Sequence, residues 1–364
     1  MIFFIRFTVW VVVITKYEKK QAILVDFHLF SHEDDYNFAY QLQKTLRKVA
    51  SLMQYMYVFL ASLFWGGSFV ATRYALTLGG LGLFSVLAGR FLVSSSILIV
   101  LTLLRGWEKL TLKELGKFLI TALVFPGLYY FLETAGIART SAVLASILIA
   151  VIPVLTAIIA RIFLKEHMNL RGWIGVFISI GGIVMITLLA DHRPGTAAIS
   201  TLGILLTFGA AIMGAFYITF TRHLMAHHKP LTLTTVQNVM GFIFFAPFAG
   251  AQITRWGLTV NLSGLLALGF LGVFASVGAF LAFNKALGTM EASKASLFLN
   301  IIPVVSLIFG WIILGEHLNG LQAVAGVVVI GGVLLASLKS KWDEAIPKKA
   351  DPVRPLSSGT TAQK

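Results

Sequence analysis

The segment SAVLASILIAVIPVLTAIIARIFLKEH fills residues 141–167, and EASKASLFLNIIPVVSLIFGWIILGEH fills residues 291–317. Both contain Ile-Pro-Val at the same place, and both end on Glu-His. When the chain is shifted by 150 residues, 16 of the 48 positions from 141 to 188 are identical. Hydrophobic composition produces chance matches, but it does not place Pro, Glu-His and Gly-Gly in register. The chain therefore contains an internal repeat.

The composition is typical of a membrane protein. Of the 364 residues, 57% are apolar and 12% are charged, and the mean hydropathy is +0.87. A soluble domain has about 25% charged residues. These values exclude a soluble globular protein, a disordered chain and a disulfide scaffold. Cysteine is absent, which excludes thiol catalysis, iron–sulfur clusters and cysteine–zinc sites. We predict no enzymatic activity, no cofactor and no metal site.

Ten stretches of the chain are long and apolar enough to cross a bilayer, which requires about 20 residues of helix. Their length and their lack of period-two alternation favour helices over barrel strands. The predicted fold class is therefore all-α, a polytopic membrane protein with ten transmembrane helices. The predicted spans are 55–76, 81–104, 118–137, 140–164, 172–190, 201–221, 231–253, 262–284, 295–315 and 318–338.

The positive charges lie unevenly in the connections between these spans. One alternate set of connections, counted from Lys44 to the end of the chain, holds 20 Lys and Arg residues, and the other set holds only Arg73, Arg139, Arg193 and Arg255. Because cytoplasmic loops collect Lys and Arg, both termini are predicted to face the cytoplasm, in the inner membrane. A net charge of +14 is thereby explained by topology and lipid headgroups, and no nucleic-acid partner is predicted.

The repeat divides the spans into two halves, residues 55–190 and 201–338, with five spans in each. Since five is odd, the second half enters the membrane in the opposite sense, as in inverted-repeat carriers. Residues 1–54 are interpreted as an extension with a non-native start or as flexible, with a structured amphipathic leader as the alternative. Residues 339–364 are predicted to be a disordered cytoplasmic tail.

Particular residues carry a family resemblance. The run Trp65-Gly66-Gly67-Ser68-Phe69, the pair Arg90-Phe91 and the two repeated segments resemble the two EamA repeats of EamA-type permeases in the drug/metabolite transporter superfamily. The ending Gly315-Glu316 is close to the family pattern, whereas Lys165-Glu166 departs from it. The resemblance implies a ten-helix inner-membrane permease that moves small metabolites, often outward. It names no substrate.

Two buried charges are the first candidates for substrate binding or gating. Arg90 lies within the second span and Glu133 lies near the end of the third. A charge in the membrane interior costs about 2.5–3.5 kcal/mol and usually marks a site. The pair is interpreted as an anchor for the substrate or a carboxylate that binds a coupling proton. A structural ion pair, or a Glu133 side chain that simply reaches the lipid headgroups, is the alternative.

Further candidates come from polar and aromatic residues inside the other spans. Polar residues of the second half are candidates for an inner gate. The alternative is interhelical hydrogen bonding for Gln237 and Asn238, and a charge that only sets the topology for Lys285. Aromatic and amide residues are candidates for the cavity wall, with packing as the alternative. Pro153 and Pro303 are hinge candidates, because proline removes a backbone hydrogen bond. The gate candidates are Gln237, Asn238, Asn284 and Lys285, and the wall candidates are Trp65, Tyr129, Tyr130 and Asn300.

Two sets of residues are interpreted more simply. Glu166-His167 and Glu316-His317 are taken as interface residues at helix ends, with a gate contact as the alternative. His223, His227 and His228 lie close together in the sequence, and two of them could bind zinc. No carboxylate or other third ligand is near them in the sequence, so no metal is predicted.

The favoured function is a secondary transporter that moves a small metabolite, an amino acid or related compound, outward by alternating access. Coupling to protons or to the substrate's own gradient stays open, as do the substrate and the oligomeric state. An intramembrane enzyme and a membrane scaffold or sensor are the alternatives.

Overall fold

The computed structural model describes residues 33–164, 170–188, 200–318 and 320–337. Over these residues the chain is helical and contains no β-strand. We group the helical segments into ten labelled helices. These are α1 (Glu33–Thr77), α2 (Leu83–Arg105), α3 (Leu112–Arg139), α4 (142–164), α5 (Leu170–Leu188), α6 (Thr201–Met225), α7 (Pro230–Trp256), α8 (Leu262–Leu287), α9 (292–314) and α10 (Gly320–Ser337).

Eight of the described helices are long and apolar enough to cross a membrane. The two others, α5 and α10, carry shorter apolar runs at Trp173–Gly182 and Ala323–Gly332. The prediction of a polytopic, all-helical membrane protein is therefore confirmed, while eight of the ten predicted spans meet the length and hydropathy expected of a membrane crossing. Helix α1 begins earlier than its predicted span, at Glu33. Residues 1–32, the tail 338–364 and the pair Glu166-His167 lie outside the described residues.

Helices α3 and α8 are each interrupted near the middle by a π-helical segment. The segment is Leu123–Leu128 in α3 and Leu271–Gly278 in α8. In α3 it contains Pro126, which has no N–H to donate, and the preceding Phe125 has extended dihedral angles. The two segments occupy corresponding positions in the two halves of the sequence. Because π-helical turns disturb the regular ladder of hydrogen bonds, they leave carbonyl groups available to other side chains.

Helices α4 and α9 are broken just before their repeated prolines. The first break separates Ala142–Ile149 from Ile152–Leu164, which contains Pro153. The second is a 3₁₀ turn, Phe298–Asn300, before Pro303. Both predicted hinge residues therefore follow a real interruption of the backbone ladder. Movement at these hinges stays a prediction.

Helices α2 and α7 hold equivalent places in the two halves, and they pack antiparallel along their lengths. The contacts run in opposite order along the two helices: Ser85 with Gln252, Phe91 with Phe245, Ser94 with Asn238 and Thr102 with Thr235. Helix α2 is the second helix of the first repeat, and α7 is the second helix of the second repeat. Because they run antiparallel, the two repeats have opposite orientations where these helices meet.

Helices α5 and α10 also pack antiparallel, through small residues. The Ser179 hydroxyl donates a hydrogen bond to the Val329 carbonyl at 3.2 Å. A Cβ added to Gly332 would lie 2.6 Å from the Ser179 nitrogen and 2.8 Å from the Gly175 carbonyl oxygen. Small residues allow backbones to approach this closely, which is a common way for helices to associate in membranes.

The connections between the helices lie at two opposite ends of the bundle. One end, the Glu316 face, holds residues 78–82, 140–141, 257–261 and 315–318. The opposite end, the His228 face, holds residues 106–111, 226–229 and 288–291.

The α5–α10 contact makes a matched prediction about two neighbouring glycines. Gly332→Ala is expected to destabilise the protein by about 1–3 kcal/mol, because its Cβ would meet the backbone of α5. Gly331→Ala is the control: no atom lies within 4 Å of its added Cβ, and alanine favours a helix. Melting temperatures in detergent measure both. Equal melting temperatures for the two variants would contradict the close contact.

Candidate functional site

A small cavity lies at the centre of the bundle, between α1, α3, α4, α6, α8 and α9. Its volume is about 30 Å³, which is enough for one or two water molecules. Four of the sequence-predicted candidates line it, namely Trp65, Tyr129, Tyr130 and Glu133. The structure is therefore closed around its centre, and a metabolite needs a wider cavity than this one.

Glu133 is the acidic side chain of the cavity wall. It is 3% exposed, and its carboxylate accepts a hydrogen bond of 2.8 Å from the Tyr129 hydroxyl one turn earlier in α3. Tyr129 follows directly on the π-helical segment of α3, and Glu133 lies one turn later, so the interruption of the helix affects the direction in which both point. A buried carboxylate with a tyrosine donor can hold a cation or a proton.

Arg90 is fully buried beside this wall but does not line the cavity. Its Nε and Nη2 atoms both donate to the Ser276 hydroxyl at 3.2 Å. Its guanidinium carbon lies 4.0 Å from the centre of the Tyr130 ring, close enough for a cation–π interaction. The Nη1 atom has no hydrogen-bond partner among the described residues. The salt bridge that the sequence allowed between Arg90 and Glu133 is not formed within these residues.

The gate candidates of the second half separate into two groups. Asn284 accepts a hydrogen bond of 2.7 Å from the hydroxyl of Tyr217, a cavity residue, and donates one of 3.0 Å to Thr234. Asn238 accepts one from Ser94 at 2.7 Å. These amides therefore join α2, α6, α7 and α8. Lys285, by contrast, is exposed and donates to the Tyr57 hydroxyl at 3.0 Å.

Two amide side chains lack partners. Gln237 is fully buried, and neither of its amide atoms has a hydrogen-bond partner among the described residues. The two amide atoms of Asn300 also lack hydrogen-bond partners among the described residues. Asn300 itself does not line the cavity, but Leu299 and Ile302 beside it do. Unpaired amides inside a membrane protein are costly, so both are suited to a ligand or water that this closed arrangement excludes.

The sequence analysis missed four of the seven aromatic rings that line the cavity. These four rings are those of Phe69, Phe125, Tyr217 and Phe283. Phe69 closes the Trp65 motif and Phe283 precedes Asn284, so both belong to or lie beside features that the sequence singles out. Phe125 precedes Pro126, a proline inside a predicted span. Ser276, the partner of Arg90, carries no comparable signal because serine is common in membrane helices.

The Glu316 side chain, just after the end of α9, binds the start of α4. Its two carboxylate oxygens accept hydrogen bonds from the backbone N–H groups of Ala142 and Val143, at 3.2 and 3.1 Å. They thereby cap the start of α4, where a negative charge is favoured. Gly315 has φ of +64°, a left-handed conformation that turns the chain back at the end of α9. Glu316 is therefore a contact between helices as well as a helix-end residue.

Arg73 completes this cluster, which we call the Glu316 latch. Its Nε lies 3.8 Å from the Glu316 carboxylate, and its Nη1 donates to the carbonyls of Ile137 and Ala138 at the end of α3. Together, Arg73 and Glu316 join the ends of α1, α3 and α9 to the start of α4.

The His228 face repeats half of this arrangement. Arg222, at the end of α6, donates to the carbonyls of Leu287 and Gly288 at the end of α8, at 2.9 and 3.3 Å. These residues correspond to Arg73, Ile137 and Ala138 in the repeat. The counterpart of Glu316 is Glu166, which lies outside the described residues.

One histidine of the same face, His228, contacts two carboxylates. The Nδ1 atom of His228 lies 3.1 Å from a Glu108 oxygen, and its Nε2 atom lies 3.9 Å from Glu114. The rings of His223 and His227 are 6.2 Å apart. No group of three metal-ligating side chains occurs among the described residues.

A second, larger cavity of about 400 Å³ lies between α1, α8 and α9. Its wall is apolar apart from Tyr74 and Ser263. It therefore lacks the charged groups that could orient a polar metabolite, and the central cavity is the better candidate site.

Comparison with known proteins identifies a family. The family model described as EamA-like transporter family matches residues 52–188 and again 201–338. An uncharacterized transporter of Archaeoglobus fulgidus is 32% identical over 270 residues, covering 74% of this chain and 93% of the relative. The uncharacterized transporter YyaM of Bacillus subtilis is 32% identical over 291 residues, covering 76% and 90%.

Two further likenesses are weaker. A probable terminal-alkyne amino-acid exporter of Streptantibioticus cattleyicolor is 24% identical over 276 residues, covering 76% of this chain and 90% of the relative. One crystal structure of a protein has a TM-score of 0.54 at 17% identity, over 77% of this chain and 95% of that chain. This last likeness concerns the fold alone.

The contact between Ser276 and Arg90 makes a stability prediction. Ser276→Ala removes the acceptor of two guanidinium hydrogen bonds and leaves a buried charge less satisfied. A loss of about 1–3 kcal/mol is expected. Ser96→Ala is the control, because that hydroxyl is exposed and donates to Leu92 in its own helix. Thermal unfolding in detergent measures both variants, and an unchanged melting temperature for Ser276→Ala would contradict the contact.

Proposed function

The chain belongs to the EamA-like transporter family, and we propose that it is a secondary carrier that moves a small metabolite across the cytoplasmic membrane by alternating access. The proposed substrate is an amino acid or a related compound, and the proposed direction is export. The amino-acid exporter among its relatives supports this substrate class. The chain is a multi-pass membrane protein, and its ten labelled helices are proposed to be ten spans.

One observation carries the proposal, the antiparallel packing of equivalent helices. Both α2 with α7 and α5 with α10 meet in this way; in the second pair, Gly175 lies near Gly332 and Gly182 near Ala325. This antiparallel packing supports two five-helix repeats of opposite orientation. Two such repeats can form a carrier in which each repeat alternates between two conformations. When one repeat adopts the conformation of the other, a cavity open to one side of the membrane opens to the other side instead.

The distribution of basic residues supports an orientation. The loops that carry most Lys and Arg lie on the His228 face. We place that face and both termini in the cytoplasm, and the Glu316 face outside.

In this orientation the Glu316 latch closes the outer side. Opening outward requires the ends of α1 and α9 to separate from α3 and α4, so the contacts of Arg73 and Glu316 must break. Arg222 holds the equivalent position at the cytoplasmic side. The breaks before Pro153 and Pro303 are proposed as the hinges for this exchange.

The central cavity is the proposed binding site. Glu133 is its charged group, and Arg90 supports the wall from behind through Tyr130. Gln237, Asn238, Asn284 and Asn300 are proposed to contact the substrate or its waters as the cavity widens, whereas Lys285 points to the surface. Glu133 is also a candidate for proton coupling, with movement down the substrate's own gradient as the alternative.

Transport itself can be tested before the substrate is identified. Proteoliposomes are loaded with a metabolite extract of amino acids and related compounds, and the compounds that leave are measured by mass spectrometry. At least one compound is expected to leave faster than from protein-free liposomes. Glu133→Gln is expected to slow that flux at least about tenfold, while the exposed Arg139→Gln control transports normally. If no compound leaves faster than from empty liposomes, the carrier function is wrong.

The latch makes a prediction about access to the cavity. The chain has no cysteine, so Ile149→Cys places a single reporter in the cavity wall. In intact cells its reaction with a membrane-impermeant maleimide is expected to be slow. Adding Glu316→Gln is expected to speed this reaction about five- to thirtyfold, as a loss of one or two kcal/mol implies.

The matched control for this measurement is Arg139→Gln, a charge removal at the same face. The Arg139 side chain donates to the Ala135 carbonyl of its own helix, so the labelling rate should not change. Equal labelling rates in the Glu316→Gln and Arg139→Gln backgrounds would show that the latch does not close the outer side.

A further inference from the structure

The wall of the central cavity carries a negative charge but no positive one among the described residues. Among the described residues, its wall contains one carboxylate, that of Glu133, and no basic side chain. Arg90 is close by but lies against the Tyr130 ring and is bound by Ser276. The cavity therefore offers a negative group and ring surfaces to a ligand.

The hydrogen-bond donors of the wall are mostly engaged. Four lining side chains can donate, and three of them already do so within the protein: Tyr129 to Glu133, Tyr217 to Asn284 and Trp65 to the Ala275 carbonyl. The fourth is the Tyr130 hydroxyl. A substrate carboxylate needs donors or a positive charge, and within the wall itself only the Tyr130 hydroxyl is left to supply one. The unpaired amides of Gln237 and Asn300 and the Nη1 atom of Arg90 lie outside this lining.

The aromatic rings of the wall favour a cation. The Phe125 ring stacks on Tyr217 with centroids 4.1 Å apart and contacts Tyr129 at 4.3 Å. Trp65 meets Phe283 edge-on at 5.0 Å. Ring faces attract organic cations, most strongly where water is excluded. A carboxylate beside such rings supplies the opposite charge that a desolvated ammonium group requires.

We infer that the group recognised in this cavity is a protonated amine carried on an apolar or aromatic body. This inference rests on the proposed carrier function and narrows its substrate class. Compounds related to amino acids that lack a free carboxylate fit the wall better than the zwitterionic amino acids themselves. Glu133 is the counter-ion of the amine, and the rings enclose its apolar part.

The inference is tested by binding of four small probes that share a phenyl group. Phenethylamine is a cation, phenylalanine a zwitterion, 3-phenylpropanoate an anion and 2-phenylethanol neutral at about pH 8. The dissociation constants are measured on the full chain purified in detergent, by ligand-induced thermal stabilisation. Phenethylamine is expected to bind at least about tenfold more tightly than each of the other three, as one charge-assisted hydrogen bond implies.

A matched pair of variants separates the role of Glu133 from general effects of charge. Glu133→Gln is expected to weaken phenethylamine binding about tenfold or more, and to leave 2-phenylethanol binding unchanged. Glu114→Gln is the control, since Glu114 caps the start of α3 at the His228 face, away from the cavity. The comparison of the four probes on the unmodified chain needs no variant, so the inference remains testable if Glu133→Gln fails to fold.

The outcomes distinguish this inference from the carrier function. Tighter binding of phenylalanine or 3-phenylpropanoate, or equal binding of phenethylamine by Glu133→Gln, overturns the amine assignment. Binding of none of the four probes overturns it as well. Flux from liposomes loaded with the full extract is judged separately, so a carrier that moves another compound would still be recognised.

Discussion

A polar side chain inside hydrocarbon is costly unless it finds a partner, because no water is present to replace one. This requirement governs how the interior of the protein is arranged. The amides of Asn238 and Asn284 join neighbouring helices, and Ser276 receives two hydrogen bonds from Arg90. Each of these bonds connects helices that are far apart in the sequence. The polar groups of the interior therefore fix which helices meet, while the apolar residues around them supply most of the packing.

The two faces show how far the repeat extends into the structure. Arg73 and Arg222 make equivalent contacts with the carbonyls at the ends of α3 and α8. Likewise, α3 and α8 have π-helical segments at corresponding positions. Symmetry of this kind is what an exchange between two states requires, since each half must be able to adopt the geometry of the other. In the proposed mechanism, the contacts of Glu316 close the outer side of the protein in this structure.

Individual residues show which features can be read from the sequence. The repeated prolines predict interruptions, and α4 and α9 are broken beside them. The candidates Trp65, Tyr129, Tyr130 and Glu133 do share one cavity. Arg90 and Glu133, however, lie at depths that allow them to meet, and instead each bonds to another residue. Sequence spacing gives the depth of a residue within a helix, but it does not give the direction in which its side chain points.

By itself, the sequence determined that this is an all-helical, multi-pass membrane protein with an internal repeat and membership of a transporter family. Length, hydropathy and repeated motifs are properties of the chain alone, so they do not depend on how the helices pack. The tertiary structure decided that Tyr130 separates Arg90 from the cavity, that the Lys285 side chain lies on the protein surface and that Glu316 caps a helix in the other repeat. These contacts depend on the rotation of each helix about its axis, which is set by neighbours that are distant in the sequence.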